Sequence, residues 1–407
     1  MPTVGAQGTL SRMEGTPQHD HEPLRVLVAG AGVGGLETLV ALRGLAPQEV
    51  APTLIAPDET FSFRALSVFE PFGYEPAHPY RLSELTGALD AGRRRDAVAA
   101  VDRARREVRL RSGSVVPYDV LVLATGAVPY PAFDHGVLFD YARNRGAVDA
   151  MLGDSRSGRV DSVVVVVPPS SHWTLPAYEL AFLLRSAGRS RPRPGARRAA
   201  GGELAVTLVT AEPEPLAAFG APAGAMIRDE FAASGIELIC GVAARVPSDR
   251  IVELRHGCRL RASRVIHLPG VAGPRLAGVP CDPDGFIPVD DGLHVDDDPD
   301  LFAIGDGTAG THKHGGLAAQ QADAVAREIA RRSGVVVADA PYRPALRAVV
   351  RTGRGPRYLR AAPPGGEGDC AVSDECLWWP PSKVVAPWLV PWLAAFDPTD
   401  RPATSSA

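Results

Sequence analysis

Lysine is almost missing from this 407-residue chain: of 43 basic residues, only Lys313 and Lys383 are lysines and the rest are arginine. A coding bias toward arginine explains most of that imbalance. The two lysines that survive it mark positions where a compact, strongly hydrated ammonium differs from a planar guanidinium. Net positive charge is also lacking, at −4, which excludes a generic phosphate-collecting nucleic-acid binder. Five cysteines are too few for a disulfide scaffold, and their odd number fits a reducing, cytoplasmic compartment. No apolar run reaches the roughly 18 residues of a membrane-spanning helix. Residues 1–22 lack the apolar stretch of a signal peptide and read as a disordered tail.

What is present is ordinary globular material, 45% apolar and 22% charged, with length for two or three domains. Leu24 to Gly30 is a short apolar run that reads as a buried strand. It passes directly into helical spacing that ends near Pro47, and a second strand follows at Pro52 to Ala56. Between strand and helix lies Gly30-Ala31-Gly32-Val33-Gly34-Gly35, a G-x-G-x-x-G in the strand–turn–helix context that the motif requires. Gly30 permits the tight turn, Gly32 lets the backbone approach a pyrophosphate, and Gly35 lets helix and strand pack closely, with Gly34 inside the same turn. The helix N-terminus then presents free N–H groups to phosphate. The acid expected at the end of the second strand is replaced by Ala56, so Asp58, or Glu59, is the candidate ribose ligand. Ala97 to Val116 reads as a hairpin turning at Arg111–Gly113. The arginine- and glycine-rich stretch from Arg185 to Gly202 reads as a loop. The region after Pro341 reads as irregular.

Three further segments complete a pattern. Leu121 to Ala127 is a strand running into a glycine turn, Leu301 to Thr308 carries Gly305 and Asp306, and a helix opens at Gly315 and Gly316. Over residues 24–335 their order and spacing resemble the pyridine nucleotide-disulfide oxidoreductase superfamily, nearest its sulfide:quinone oxidoreductase and type II NADH dehydrogenase branch. The resemblance implies an α/β fold with two Rossmann-like dinucleotide-binding domains and a C-terminal cap. The FAD-binding domain would be discontinuous, 23–130 and 265–335. An inserted NAD(P)-binding-like domain would fill 131–264, and a cap or membrane-contact region 336–407. It also implies bound FAD, with Thr125 and Gly126 beside the nucleotide and Asp306 next to Gly305 on the ribityl or phosphate side. Gly315 and Gly316 would aim a helix dipole at the reduced ring. Lys313 would stand near the flavin carbonyl edge or a quinone oxygen, flanked by His312 and His314, and Arg64 is either an FAD or substrate contact or a surface ion pair.

The second α/β unit departs from that pattern. Its strand, Ser162 to Val167, runs into Pro168-Pro169-Ser170-Ser171-His172-Trp173, where proline removes N–H donors, so the usual pyrophosphate loop is not expected. Pro176 to Glu179 resembles the PAYE segment of the sulfide:quinone branch, in which Glu179 either moves a proton or caps a helix. No cysteine lies between Pro168 and Glu179, which sets the chain apart from the sulfide-oxidising members. Cys370 and Cys376 are left either as a redox pair or as two loop thiols. Leu377 to Phe396 holds four of the five tryptophans and reads either as an interfacial membrane contact or as a lid or homodimer surface. These features predict an FAD-dependent oxidoreductase that passes electrons from a small donor, such as a sulfur species, to a quinone or similar acceptor. An NAD(P)H-dependent flavoenzyme and a non-catalytic FAD-binding redox sensor are the alternatives.

Overall fold

A computed structural model of the chain describes residues 22–74, 77–189, 203–310, 312–338, 342–362 and 369–396. The expected N-terminal tail and most of the Arg185–Gly202 loop lie outside the described residues.

The first sheet has six strands in the order His294–Val295, Asp298–Ala303, Val120–Leu123, Leu24–Ala29, Val50–Ile55 and Gly92–Arg94. All neighbours are parallel except the edge pair His294–Val295 with Asp298–Ala303. Helix α1 (Val33–Leu45) connects the first two strands of the chain, and the short α2 (Leu82–Ala88) precedes the edge strand Gly92–Arg94. The apolar strands Leu24–Ala29 and Val120–Leu123 are buried on both faces, as parallel strands covered on both sides require. Residues 98–117 form three antiparallel strands instead of the expected hairpin. An extra turn at Arg103–Arg106, with Arg106 at φ 54°, splits the first arm of that hairpin into two strands.

Helix α3 (Tyr141–Arg156) leads into the second sheet, whose five parallel strands run Val137–Leu138, Arg264–His267, Ser162–Val167, Ala205–Thr210 and Ile236–Ile239. Helices α4 (Leu175–Arg189) and α5 (Gly220–Ser234) join its later strands. The two units therefore repeat one topology, each with an antiparallel meander before its returning strand. The expected boundary at 264/265 falls too early, because Arg264–His267 pairs with Ser162–Val167 inside the second sheet. The crossing back occurs at Gly270–Ala272, which pairs with Val128–Tyr130 on the way out.

Helix α6 (Gly315–Arg332) returns to the first domain and packs along α1. The chain after Pro341 is more regular than expected: Leu346–Thr352, Gly355–Ala361 and Ala371–Ser373 form an antiparallel sheet. Gln320 on α6 clamps its start, donating to the Ala345 carbonyl at 2.9 Å and accepting from the Ala345 N–H at 2.9 Å. Buried Glu230 on α5 fastens the hairpin through Arg354 at 3.0 Å and Arg357 at 2.9 Å.

The tryptophan segment folds back over the first domain. Helix α7 (Leu389–Phe396) buries Leu389, Val390 and Leu393 with the α1 and α6 core. Its free N-terminal N–H groups are satisfied from a distance: Trp388 and Leu389 donate to Glu37 on α1 at 2.9 and 2.7 Å. The Trp388 indole donates to Asp323 at 2.6 Å and covers Gly44, where a Cβ would meet the ring at 2.6 Å. The described residues thus give the lid reading a physical basis, and no helix among them is long and apolar enough to cross a membrane.

Glu37 is fully buried, and burial pushes its carboxyl from 4.5 up to about 7 against the two N–H donors. The native state therefore holds this proton where the unfolded chain has lost it. Stability is largest below about pH 4.5, falls as pH rises through the interval to 7, and levels off above. The shift corresponds to about 3 kcal/mol. Urea denaturation at pH 5 and pH 7.5 should show that loss in the native protein, and its absence in Glu37→Gln; equal pH dependence in both would remove Glu37 as the cause.

Candidate functional site

The glycine turns and loops that follow three adjacent parallel strands converge on one face of the first sheet, outside the carboxyl ends of the strands, where open α/β sheets bind ligands. After Leu24–Ala29, Gly30 takes φ 118°, and a Cβ there would lie 2.1 Å from the Ala124 carbonyl oxygen. Gly35 is packed as tightly, since its Cβ would lie 1.9 Å from the Gly30 carbonyl oxygen. Gly34 faces Ala318 of α6, with 3.5 Å between its would-be Cβ and the alanine methyl. Gly32 differs from all three: a Cβ on it would meet nothing within 4 Å. That is a backbone surface open to an approaching group.

After Val120–Leu123, Thr125 holds a buried hydroxyl with no partner, and Gly126 takes φ 71°. After Asp298–Ala303, Gly305 takes φ 73° and donates its N–H to Gln321 of α6 at 2.7 Å. Gly307 lies against both, its would-be Cβ 3.2 Å from the Gly126 carbonyl and 3.6 Å from the Thr125 hydroxyl. Burial pushes the Asp306 carboxyl up, opposed by the charges of Lys313 and Arg64. The sequence-selected Gly30, Gly32, Gly34, Gly35, Thr125, Gly126, Gly305, Asp306, Lys313 and Arg64 thus belong to one neighbourhood. An open glycine cradle and an orphaned hydroxyl fit a dinucleotide such as FAD.

Lys313 does not point freely from this loop. Its ammonium donates to the Thr308 and Gly310 carbonyls at 2.5 and 2.8 Å and lies 3.7 Å from the Phe286 ring centre. Burial pulls it down to about 8, opposed by Asp306 and Asp282. Gly315 opens α6 beside Val33 and Val384, with would-be Cβ contacts of 3.6 and 3.5 Å. His314 lies over Gly316 with a buried, unpartnered Nδ1, and burial pulls its imidazole down to about 4.

Asp58 sits on the exposed rim, and only its carbonyl is engaged, by Arg93 at 2.9 Å. Arg93 also keeps a buried Nε without a partner at this edge. Glu59 pairs with Arg95 at 2.6 Å.

Glu179 and Lys383, 204 residues apart, form a buried ion pair at 2.5 Å. Glu179 comes from α4, Lys383 from the stretch before α7, and Val384 beside it touches the start of α6. The ammonium lies 4.0 Å from the Phe69 ring centre, and Arg351 stands 5.4 Å from the centres of both Phe69 and Tyr74. Burial pushes Glu179 up and Lys383 down, each opposed by the other's charge. One oxygen of Glu179, Oε1, is buried without a hydrogen bond. A carboxyl with one face tied and one open can hold or pass a proton.

Cys370 and Cys376 are not bonded to each other. They lie beyond opposite ends of the strand Ala371–Ser373, and both are free thiols. Cys370 is exposed against Gly220, while Cys376 donates to the Trp378 carbonyl at 3.0 Å. The structure joins them in no disulfide.

The second unit also closes its nucleotide crevice in a way the sequence reading missed. Glu212, two residues past the strand Ala205–Thr210, occupies the place of a ribose-binding acid, but the Tyr178 hydroxyl donates to it at 2.7 Å and Thr210 at 3.3 Å. Applying the second-strand rule to this unit as well as the first would have found it. His172 and Glu37 carried no sequence signal of this kind.

The family model of pyridine nucleotide-disulphide oxidoreductases matches residues 24–324. No curated protein matched the chain. Among solved structures, it is similar to sulfide:quinone oxidoreductase from Aquifex aeolicus, at 22% identity over 86% of each chain with a TM-score of 0.74. It is also similar to a ferredoxin reductase from Rhodopseudomonas palustris, at 24% identity over 83% of this chain and 81% of that one, TM-score 0.61. A NAD-dependent persulfide reductase from A. fulgidus matches at 15% identity over 83% of this chain and 64% of the other, TM-score 0.61.

Proposed function

The chain belongs to the pyridine nucleotide-disulphide oxidoreductase family, with FAD as its cofactor, and we propose that it moves electrons from a small reductant to a quinone or similar acceptor. Bound FAD supplies the two-electron redox centre. Gly32 and the α1 N-terminus would hold its pyrophosphate, Thr125 and Gly126 its nucleotide side, and Gly305 with Asp306 its ribityl or phosphate side. Arg64 and Lys313 are proposed to balance the charge of Asp306, and Asp58 with Arg93 to flank the adenosine end.

The buried Glu179–Lys383 pair carries the acceptor half of this reading. Quinone reduction consumes protons, and a buried carboxyl with one open oxygen beside a lysine supplies a proton donor away from bulk water. The fold likeness to a sulfide:quinone oxidoreductase supports the same direction. Against NAD(P)H as donor stand the Pro168–Pro169 turn and the occupied carboxylate of Glu212. Cytoplasmic residence, with contact to the membrane face, is part of the proposal.

Anaerobic titration of the purified flavoprotein tests both halves. The visible flavin absorbance should persist with millimolar NADH or NADPH, bleach with sulfide or a persulfide, and return on adding a soluble short-chain quinone. Bleaching by NADH would overturn the donor half, and failure of the quinone to restore absorbance would overturn the acceptor half.

A further inference from the structure

The cap sheet sets two arginines against each other. Leu346–Thr352 and Gly355–Ala361 run antiparallel, and their register places Arg347 directly opposite Arg360. Leu346, Ala348, Leu359 and Ala361 point into the core, so the alternating Arg347 and Arg360 share the outer face. Like charges directly opposite each other weaken a sheet. Burial, then the charge of Arg360, pulls the Arg347 guanidinium below its ordinary value, and no acid opposes them. The repulsion is left for a group outside the described residues to offset.

The other arginines of this hairpin have partners. Arg354 and Arg357 share buried Glu230. Arg351 lies against the Phe69 and Tyr74 rings. Among the described residues, no carboxylate pairs with Arg347 or Arg360, and that includes Asp369 and Asp374 on either side of the third strand. Arg347 is partly buried and Arg360 exposed, so solvent reaches the pair from one side. The strand beneath it is fixed: the Arg347 backbone is tied to the imidazole of His314, the residue that caps α6, and Gln320 of α6 clamps Ala345. Next along the same face, Tyr358 stands opposite Val349 and meets the Trp378 ring edge to face at 5.5 Å. Each guanidinium offers a planar fork of N–H donors that matches an oxyanion. One carboxylate would leave a positive charge uncompensated, whereas a group with two negative charges neutralises both.

We propose that Arg347 and Arg360 bind a doubly charged oxyanion, the phosphate group of a small solute or of a lipid headgroup, on the outer face of the cap sheet. The site is separate from the flavin crevice, and it holds whichever donor and acceptor the flavin serves.

The test uses the FAD-loaded protein, so that the pyrophosphate cradle at α1 is already filled. At pH 8, inorganic phosphate should raise the thermal midpoint saturably over sodium chloride of equal ionic strength, because a ligand that binds only the folded state stabilises it. Arg347→Gln and Arg360→Gln should each weaken the apparent affinity at least tenfold. In chloride alone, Arg360→Gln should melt no lower than the native protein, since it removes a repulsion. Flotation with phosphatidylcholine vesicles, with and without phosphatidate, separates the two sources. Phosphatidate-dependent capture that is lost in Arg347→Gln assigns a headgroup, and a phosphate response without such capture assigns a small solute. No response to either millimolar phosphate or phosphatidate would overturn the proposal, as would an unchanged response in both variants. A lower midpoint for Arg360→Gln in chloride would also overturn it, because the guanidinium would then be satisfied within the protein. The flavin spectrum of each variant reports whether it folded.

Discussion

Lys383→Met is expected to destabilise the protein by roughly 3–5 kcal/mol, and Glu179→Leu combined with Lys383→Met to recover most of that loss. Removing the lysine alone leaves a carboxyl that is 1% exposed with only the weaker opposing charge of Arg351. It must either stay ionised in an apolar setting or take up a proton, and both are unfavourable against water. Removing both partners substitutes apolar volume for two desolvated ions, which is often neutral or stabilising. Turnover should separate from stability. The double variant should bind FAD and bleach with donor like the native protein, yet return its electrons to quinone at least tenfold more slowly, since no proton donor remains. A loss below about 1 kcal/mol in Lys383→Met would mean that the pair is solvated like a surface bridge. Native quinone turnover in the double variant would remove the proposed proton role.

This pair also shows what a sequence hides. Glu179 and Lys383 each drew attention for a local reason, a PAYE segment and a rare lysine, but no periodicity couples residues 204 positions apart. The glycine turns were legible because φ 118° at Gly30 and φ 73° at Gly305 are demands that a local sequence must meet by itself. Strands such as Leu24–Ala29, Val120–Leu123 and Ser162–Val167 were legible as apolar runs, but the short edge strands Gly92–Arg94, Val137–Leu138 and His294–Val295 were not. The cap sheet was not, although Leu346, Ala348 and Val350 alternate inward and Gly353 to Gly355 mark the turn. Flanking prolines and arginines outweighed that alternation. Lys313 lies just before α6, and its ammonium is committed to the Thr308 and Gly310 carbonyls. Sequence position could not give that direction.

Gly32→Ala is expected to leave the apoprotein folded and to weaken FAD binding by roughly a hundredfold, about 3 kcal/mol. Gly30→Ala should instead damage the fold itself. The two glycines lie two residues apart in one motif, and only their surroundings separate them. At Gly30 a Cβ would lie 2.1 Å from a backbone oxygen on the neighbouring strand turn, at a φ of 118° that side chains rarely adopt, so the first sheet must distort. At Gly32 the φ is −79°, ordinary for alanine, and no protein atom lies within 4 Å of the new methyl. The only group left to exclude is the one that approaches the α1 N-terminus from outside, and the methyl would hold a pyrophosphate off the N–H groups that should bind it. Urea denaturation of the apoproteins and FAD titration followed by flavin fluorescence measure the two effects separately. An apo Gly32→Ala as unstable as Gly30→Ala would mean that the turn, and not the ligand, needs this glycine. A folded Gly32→Ala with native FAD affinity would move the pyrophosphate away from α1.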